Sequence, residues 1–197
     1  MTLRALRALR RNEGGATIVE FALILPVMSV LLLGVLDLGY RSYVTSIIQG
    51  ALHEAARMAT VGGVPTSAIE AHVRDRLRDF SGSATITTTT RSYSDFTGVK
   101  TPEAITQDTS PFGQYNPGDC FLDVNGNGTY DLDRGRGGLG GAEDVVHFEV
   151  EMTYPHIVPI GNFLGNGWSD NVTITQNTIL RNQPFAGRNS ATAATVC

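Results

Sequence analysis

One loop of this chain has the residue types and spacing of a calcium-binding loop. Residues 123–134 read D-V-N-G-N-G-T-Y-D-L-D-R, so oxygen-bearing side chains alternate before a glycine at the sixth position. Alternate oxygen side chains converge when such a loop coils around a cation, and the glycine permits the sharp turn. The pattern therefore predicts a structural Ca²⁺ site. Its predicted ligands are the side chains of Asp123, Asn125, Asn127 and Asp131 and the backbone carbonyl of Thr129.

The loop departs from the calcium pattern at its twelfth position, where Arg134 replaces the usual bidentate glutamate. A carboxylate from elsewhere in the chain would then have to complete the coordination shell. Glu143 and Asp144, which follow the glycine-rich residues 135–141, are the predicted donors. Asn-Gly sequences are also common hairpin signals, so a turn that binds no ion is the alternative interpretation.

The second chemically informative residue is Glu20, which stands in an otherwise apolar run. No residue from 21 to 36 is charged, and Ser29 is the one polar residue among them. Residues 16–36 would form a helix of about 31 Å, close to the hydrocarbon thickness of a bilayer. The sequence after the run lacks the small-residue pattern of a cleaved secretory signal, so a transmembrane helix is predicted. A carboxylate there is costly unless it is paired or lies at the interface.

The charge distribution predicts the orientation of that helix. Residues 1–14 contain four arginines and one glutamate, whereas the whole chain has a net charge of −4. A basic segment before an apolar run is retained in the cytoplasm, so the rest of the chain is predicted to be periplasmic or extracellular. The acidic body has no basic stripe, so nucleic acid is not a predicted partner.

Hydrophobic periodicity predicts an α+β fold, in which a long N-terminal helix packs on a small antiparallel sheet. Apolar residues recur at three- and four-residue steps from Tyr40 to Met58, so the helix is predicted to continue, now amphipathic, over residues 37–61. The remaining domain would span residues 62–197. Its predicted elements are a helix over residues 68–80 with a Ser67–Glu70 capping box, strands over 84–93, 145–154 and 171–181, and an apolar loop over 156–168 tucked against the sheet.

The two cysteines, Cys120 and Cys197, belong to no C-x-x-C motif, so neither a zinc ribbon nor a redox motif is indicated. If the domain lies outside the inner membrane, its environment is oxidising and the two can pair. Closing a loop of that length would stabilise the fold by about 4–5 kcal/mol in the chain-entropy model. Two unpaired thiols are the alternative, and the disulfide is the prediction.

Several segments resemble proteins of bacterial pili. Residues 15–21, G-A-T-I-V-E-F, resemble the class III signal of type IV prepilins, in which cleavage after a glycine leaves a glutamate at the fifth position. V-E-F-A-L-I-L-P, L-L-L-G-V-L-D-L-G and A-L-H-E-A-A-R-M-A resemble the TadE-type pseudopilins (TadE/TadG-like) of the tight-adherence, or Flp, pilus system. The matching positions are 19–23, Pro26, Gly34, Asp37, Gly39 and 54–57.

The resemblance implies a minor pseudopilin with a pilin-like fold that supports pilus assembly and surface adhesion. By that resemblance, residues 1–15 form a leader that a prepilin peptidase removes after Gly15, so that Ala16 becomes the first residue. Glu20, followed by Phe21, would then meet the new N-terminal amine of a neighbouring subunit inside the membrane and align it. The implied partners are the peptidase, other pilins and pseudopilins of the same pilus, and the assembly platform in the inner membrane.

No catalytic motif accompanies these features. The sequence contains no G-x-S-x-G elbow, no H-E-x-x-H, no P-loop and no G-x-G-x-x-G that leads into a helix, so an enzyme is not predicted. The alternative function is that of an uncleaved single-pass inner-membrane protein whose periplasmic domain binds calcium or another ligand.

Overall fold

The computed structural model describes residues 15–61, 63–80, 82–157, 169, 171–183 and 193–197. The predicted leader up to residue 14, most of the predicted apolar loop over 156–168 and part of the C-terminal tail lie outside these residues. The chain divides into two compact units, Met1–Val44 with His156–Trp168 and Thr45–Pro155 with Ser169–Cys197.

The first element is a single helix, α1, that covers Ala16–Val61 and contains Pro26. This confirms the prediction that the apolar helix continues into an amphipathic one. The proline removes one backbone hydrogen bond, which a long helix in a membrane tolerates. Within the described residues, α1 is the one helix long and apolar enough to cross a membrane. Its second half buries one stripe at helical spacing, formed by Val44, Ile48, Ala51, Leu52, Ala55 and Ala59.

The second helix, α2, covers Thr66–Arg76, and a 3₁₀ turn over Arg78–Phe80 follows it. The predicted capping box is wrong, because the N-cap is Pro65 and no side chain caps the helix. The carbonyl of Pro65 accepts hydrogen bonds from the first helical amides, at 3.0 Å from Ala68. Proline already holds the φ that the start of a helix needs, so α2 begins before Ser67 rather than after it.

The two helices are joined in the second unit by a polar contact that crosses from α1 to α2. Glu54 Oε2 lies 2.8 Å from His72 Nε2, and Arg76 donates to both oxygens of Glu54 at 2.8 and 2.9 Å. The hydrogen bonds from His72 and then Arg76 hold the pKa of Glu54 below its usual value. The buried residues Ile69 and Val73 point from α2 into the core, as the apolar spacing predicts.

Two antiparallel sheets complete the second unit. Their strands are β1 (Thr85–Tyr93), β2 (Ile105–Gln107), β3 (Cys120–Asp123), β4 (Arg136–Gly137), β5 (Val145–Pro155), β6 (Asn171–Arg181) and β7 (Ala194–Val196). The larger sheet has the order β4-β1-β5-β6 and the smaller one the order β2-β3-β7. The β5–β6 pair runs from Val145 opposite Arg181 to Pro155 opposite Asn171, which confirms the predicted antiparallel pairing.

Strand β5 supplies the centre of the core. Its alternate residues Val146, Phe148, Val150, Met152 and Tyr154 are all buried, as the period-two pattern predicts. They share the buried core with Ile48 and Leu52 of α1 and with Val73 of α2. Because a strand presents successive side chains to opposite faces, the residues between them lie on the outer face of the sheet.

The outer face of β5 is covered at one end, where His147 is 3 % exposed. Lys100 donates to Glu149 Oε2 at 2.6 Å beside it, and the Tyr93 hydroxyl donates to Asp133 Oδ1 at 2.9 Å. Burial, together with the nearby charge of Lys100, lowers the pKa of His147. Burial and the carboxylate of Asp133 raise the pKa of Tyr93 to about 12.

We predict that His147 makes the stability of the sheet fall as the pH falls. The unfolded chain binds a proton at His147 near its ordinary pKa of about 6.5, whereas the folded chain binds it only at lower pH. The contribution of neutral His147 to the free energy of unfolding is therefore complete above about pH 7.5. It is lost as the pH falls from the pKa of His147 in the unfolded chain towards its lower pKa in the folded chain. Thermal unfolding of the full chain in detergent at pH 7.5 and 5.5 measures it.

The matched variant is His147→Gln, which cannot take up a proton in this range. Its melting temperature should fall less between pH 7.5 and 5.5 than that of the wild type. His53→Gln, the same change at an exposed histidine, should lose as much as the wild type. An equal loss in wild type and His147→Gln would contradict the prediction.

Candidate functional site

The first candidate site is the start of α1, where the helix begins immediately after Gly15. Glu20 is exposed in the second turn of the helix, and Phe21 beside it is 63 % exposed. The structure therefore places the predicted cleavage site at the helix boundary and the predicted alignment carboxylate one turn beyond Ala16. Those two positions, four residues apart, lie on the same side of a helix.

The helix beyond Glu20 exposes apolar side chains in every direction. The exposed residues include Leu23, Ile24, Val27, Met28, Leu31, Leu32, Val35 and Leu36. A helix that is apolar all round needs lipid or other helices around it, since water cannot solvate so large an apolar surface. Apart from the hydrogen bond lost at Pro26, its backbone groups are paired within the helix, which a membrane span requires. This part of the chain therefore has the properties of a single membrane span.

A buried polar cluster follows the span within the first unit. Asp37 is buried, and its Oδ2 accepts a hydrogen bond from Arg41 Nε at 3.0 Å. Its Oδ1 lies 3.2 Å from Nδ1 of His156. The i, i+4 pair with Arg41 can be read from the sequence, but the contact with His156 joins residues 119 positions apart and has no local signal.

The second candidate site is the loop over residues 123–134. Asp123 is buried at its start, and its two carboxylate oxygens accept the amides of Gly126 at 2.6 Å and Gly128 at 2.8 Å. Gly128 has a φ of +76°, the left-handed conformation that its position in the motif predicts. The loop therefore coils back over its first carboxylate, as a cation-binding loop does.

Three other predicted ligands converge at one point of this loop. The side-chain amides of Asn125 and Asn127 both donate to Oδ2 of Asp131, at 2.7 and 2.6 Å. Rotation of either amide about its last bond would exchange nitrogen for oxygen at the same place. The structure thus brings together the side chains of Asn125, Asn127 and Asp131, whereas the carboxylate of Asp123 is bonded to the amides of Gly126 and Gly128. Thr129 takes part through its amide and hydroxyl, which donate to Asn127 Oδ1 at 2.8 and 2.9 Å.

Glu103 closes the base of the loop and is the residue that the sequence analysis missed. It is 2 % exposed, and its two oxygens accept the backbone amides of Val124 at 2.8 Å and Asp131 at 3.2 Å. Its own amide donates to the carbonyl of Asp131 at 3.0 Å. A glutamate that stands 20 residues before the motif, in a turn-rich segment, has no periodicity that would have indicated this role.

The residues predicted to complete the coordination shell lie in other contacts. Glu143 Oε2 is 3.7 Å from Arg181 Nη2, and Asp144 accepts a hydrogen bond from the amide of Gly141 at 2.7 Å. Arg134, at the twelfth position, lies 3.7 Å from Asp95. In the part of the chain that the structure describes, no group of three or more histidine, cysteine, aspartate or glutamate side chains is arranged to hold a metal ion. Any cation here would depend on the two asparagines.

A disulfide joins Cys120, at the start of β3, to Cys197 at the C-terminus. Strand β7, just before Cys197, pairs antiparallel with β3, so that Ala194 lies opposite Asp123. The bond therefore fixes the C-terminus beside the strand that leads into the loop. Cross-links of this kind stabilise mainly by restricting the unfolded chain.

These features define a class of protein in which one long N-terminal helix, apolar all round in its first half, continues into a small α+β domain. Residues 15–57 match the family described as TadE-like protein, which confirms the resemblance of this segment to TadE-type proteins. The match associates this segment with the tight-adherence pilus system. The comparisons with curated proteins and with solved structures found no match.

We predict that Glu103→Gln destabilises the domain by about 1–3 kcal/mol, because the substitution leaves one of two backbone amides facing another donor. Thermal unfolding of the full chain in detergent measures the effect. The control is Glu151→Gln, the same change at an exposed position on β5, which should leave the transition within about 0.5 kcal/mol of wild type. Equal transitions for the two variants would refute the role assigned to Glu103.

Proposed function

We propose that the chain is a minor pseudopilin that assembles or primes a tight-adherence pilus. The observation that supports this is the coincidence of the TadE-like match, which begins at Gly15, with the exposed apolar helix, which begins at Ala16. In this proposal a prepilin peptidase cuts after Gly15, and the helix passes from the inner membrane into contact with other subunits. The periplasmic domain of well over 100 residues suits a minor subunit rather than a major one.

In the proposed assembly, Glu20 is the alignment charge. An ionised carboxylate surrounded by apolar side chains is stabilised when an opposite charge reaches it. Cleavage after Gly15 creates an amine at Ala16, and the amine of a neighbouring subunit can supply that charge. The pairing favours a fixed axial offset between neighbouring helices, because displacement in either direction leaves both charges unpaired in lipid.

We predict that Glu20→Ala is processed normally but fails to support pili. The peptidase recognises the sequence around Gly15, whereas the lost charge acts only during assembly. Mass spectrometry of the mature N-terminus and counts of surface pili measure the two steps separately. Ser29→Ala, a small change in the same span, is the control and should retain both. Normal piliation by Glu20→Ala would overturn the alignment role.

The alternative, an uncleaved single-pass envelope protein, predicts a different mature N-terminus. In cells that express the peptidase, the proposed pseudopilin should begin at Ala16. An intact leader, with Arg4 and Arg7 still present in the mature protein, would overturn the pseudopilin and favour the envelope protein.

We also propose that the loop over residues 123–134 binds Ca²⁺ as a structural ion. The motif spacing, the left-handed Gly128 and the convergence of Asn125, Asn127 and Asp131 support this. With two carboxylates and two amides, the ion would replace the hydrogen bonds that now join the amides to Asp131. Since both ends of the loop are already held, the ion would stiffen the exposed arc and would not switch the domain.

We predict that calcium raises the melting temperature of the full chain relative to the same protein in a chelator. Binding to the folded state alone stabilises it by about 2.7 kcal/mol at 100 times the dissociation constant. Asp131→Asn should abolish the calcium-dependent part, and Asp75→Asn, on the exposed side of α2, should retain it. An unchanged wild-type transition at saturating calcium would leave only the turn that binds no ion.

A further inference from the structure

Strand β6 forms one edge of the larger sheet. The strand is eleven residues long, and within the described residues it pairs with β5 on one side and with no strand on the other. At the opposite edge of the sheet, part of β1 is already covered. Strand β4 pairs with Arg91 and Ser92 of β1, and the amide of Gly138 donates to the carbonyl of Thr90. A long unpaired edge is a template for another strand.

The composition of β6 favours pairing with another strand and lacks the residues that usually prevent it. It contains no proline and no lysine, and Arg181 at its end is its one charged residue. Proline, inward charges and bulges are the usual means of preventing edge pairing, and β6 shows none of these along its register with β5. Its exposed outer side chains are Asn171, Thr173, Thr175, Asn177, Ile179 and Arg181.

The apolar inner layer of the sheet is incomplete at this edge. On β5, Phe148 and Val150 are at most 2 % exposed. On β6, the inner-face residues Ile174 and Leu180 are only half-buried. Another strand beside β6 would extend this layer and cover the remaining apolar surface.

We propose that β6 pairs antiparallel with β6 of a second copy of this chain, across a two-fold axis at Gln176. That register pairs all eleven residues of the strand. On the inner face it places Val172 opposite Leu180 and Ile174 opposite Thr178 of the other copy, so apolar residues flank the two Gln176 side chains at the axis. Such a contact is isologous, since the same edge serves both copies.

The charges fit the same register. Arg181 of each copy lies opposite Asn171, so the two arginines stand at opposite ends of the pair. Glu143 lies 3.7 Å from Arg181 within one chain and already balances it. A register that moved the axis towards Arg181 would bring the two like charges together and leave residues at the other end unpaired. The self-pairing of β6 does not depend on the pilus role.

The experiment is a cysteine scan of the full chain in detergent under mild oxidation. Cys120 and Cys197 are bonded to each other, so an introduced cysteine is the one free thiol. Gln176→Cys should give a disulfide-linked dimer, because directly opposed residues have Cβ atoms about 4.5–5.5 Å apart. Thr173→Cys and Ile179→Cys should stay monomeric, since each lies about 20 Å from its own copy in this register. Thr87→Cys, on the exposed face of β1, is the collision control.

A second readout keeps the test independent of any single cysteine. Thr175→Lys should weaken dimerisation of the full chain about tenfold or more, because the two lysines would be diagonal neighbours across the axis, about 7–8 Å apart, and would repel each other. Thr87→Lys, the same change away from the edge, should stay within about twofold of wild type. A monomeric Gln176→Cys with the wild-type melting temperature, or equal cross-linking at Thr87→Cys, would overturn the proposal. So would an unchanged dimer in Thr175→Lys, or a wild type that is monomeric at every concentration.

Discussion

The backbone hydrogen bonding of α1, which is interrupted at Pro26, is the constraint on which the rest of the structure depends. Because the helix pairs nearly all of its own amides and carbonyls, its first half can present apolar side chains all round and leave few polar backbone groups in lipid. In the second half of the same helix the apolar side chains lie along one stripe, in which Ile48, Leu52 and Ala55 are buried. The change from an all-round to a one-sided pattern is encoded in the sequence alone, with no break between the two parts. In the second unit, α2 and the inner face of β5 complete the core that this stripe begins.

The elements that the sequence predicted correctly are those whose signal is a local period. Alternation from Val145 to Tyr154 indicated a strand with one buried face, and Val146, Phe148 and Val150 are all buried. The three- and four-residue steps of α1 likewise identified its buried side. Such periods follow directly from strand and helix geometry, so they hold whatever the tertiary arrangement. The placement of Glu20 one turn after Ala16 follows from the same helical geometry.

The contacts that sequence reasoning missed join residues far apart in the chain. Glu103 holds the base of the loop, His156 lies against Asp37, and neither contact leaves a local pattern. The predicted start of α2 was wrong for a different reason. A Ser67–Glu70 pair satisfies the capping rule, but Pro65 offers the helix an earlier start that costs no amide hydrogen bond. Both Pro65 and Ser67 are residues that favour the start of a helix, and in the structure the helix starts after Pro65.

The loop over residues 123–134 shows how such long-range contacts limit what a local motif can do. Glu103 ties its base at Val124 and Asp131, and the Tyr93 hydroxyl holds Asp133 near its end. On the side of β3, the disulfide and the β3–β7 pairing fix the strand from which the loop departs. The remaining freedom lies in the exposed arc, where two asparagine amides meet the carboxylate of Asp131. A cation at that point would require both amides to rotate. The rotation would also break the hydrogen bonds that Asn125 Oδ1 accepts from the Asn127 amide and Asn127 Oδ1 accepts from Thr129, all within the exposed arc. A change within the exposed arc would therefore stay local, because the base of the loop and the strand before it are already held by these contacts.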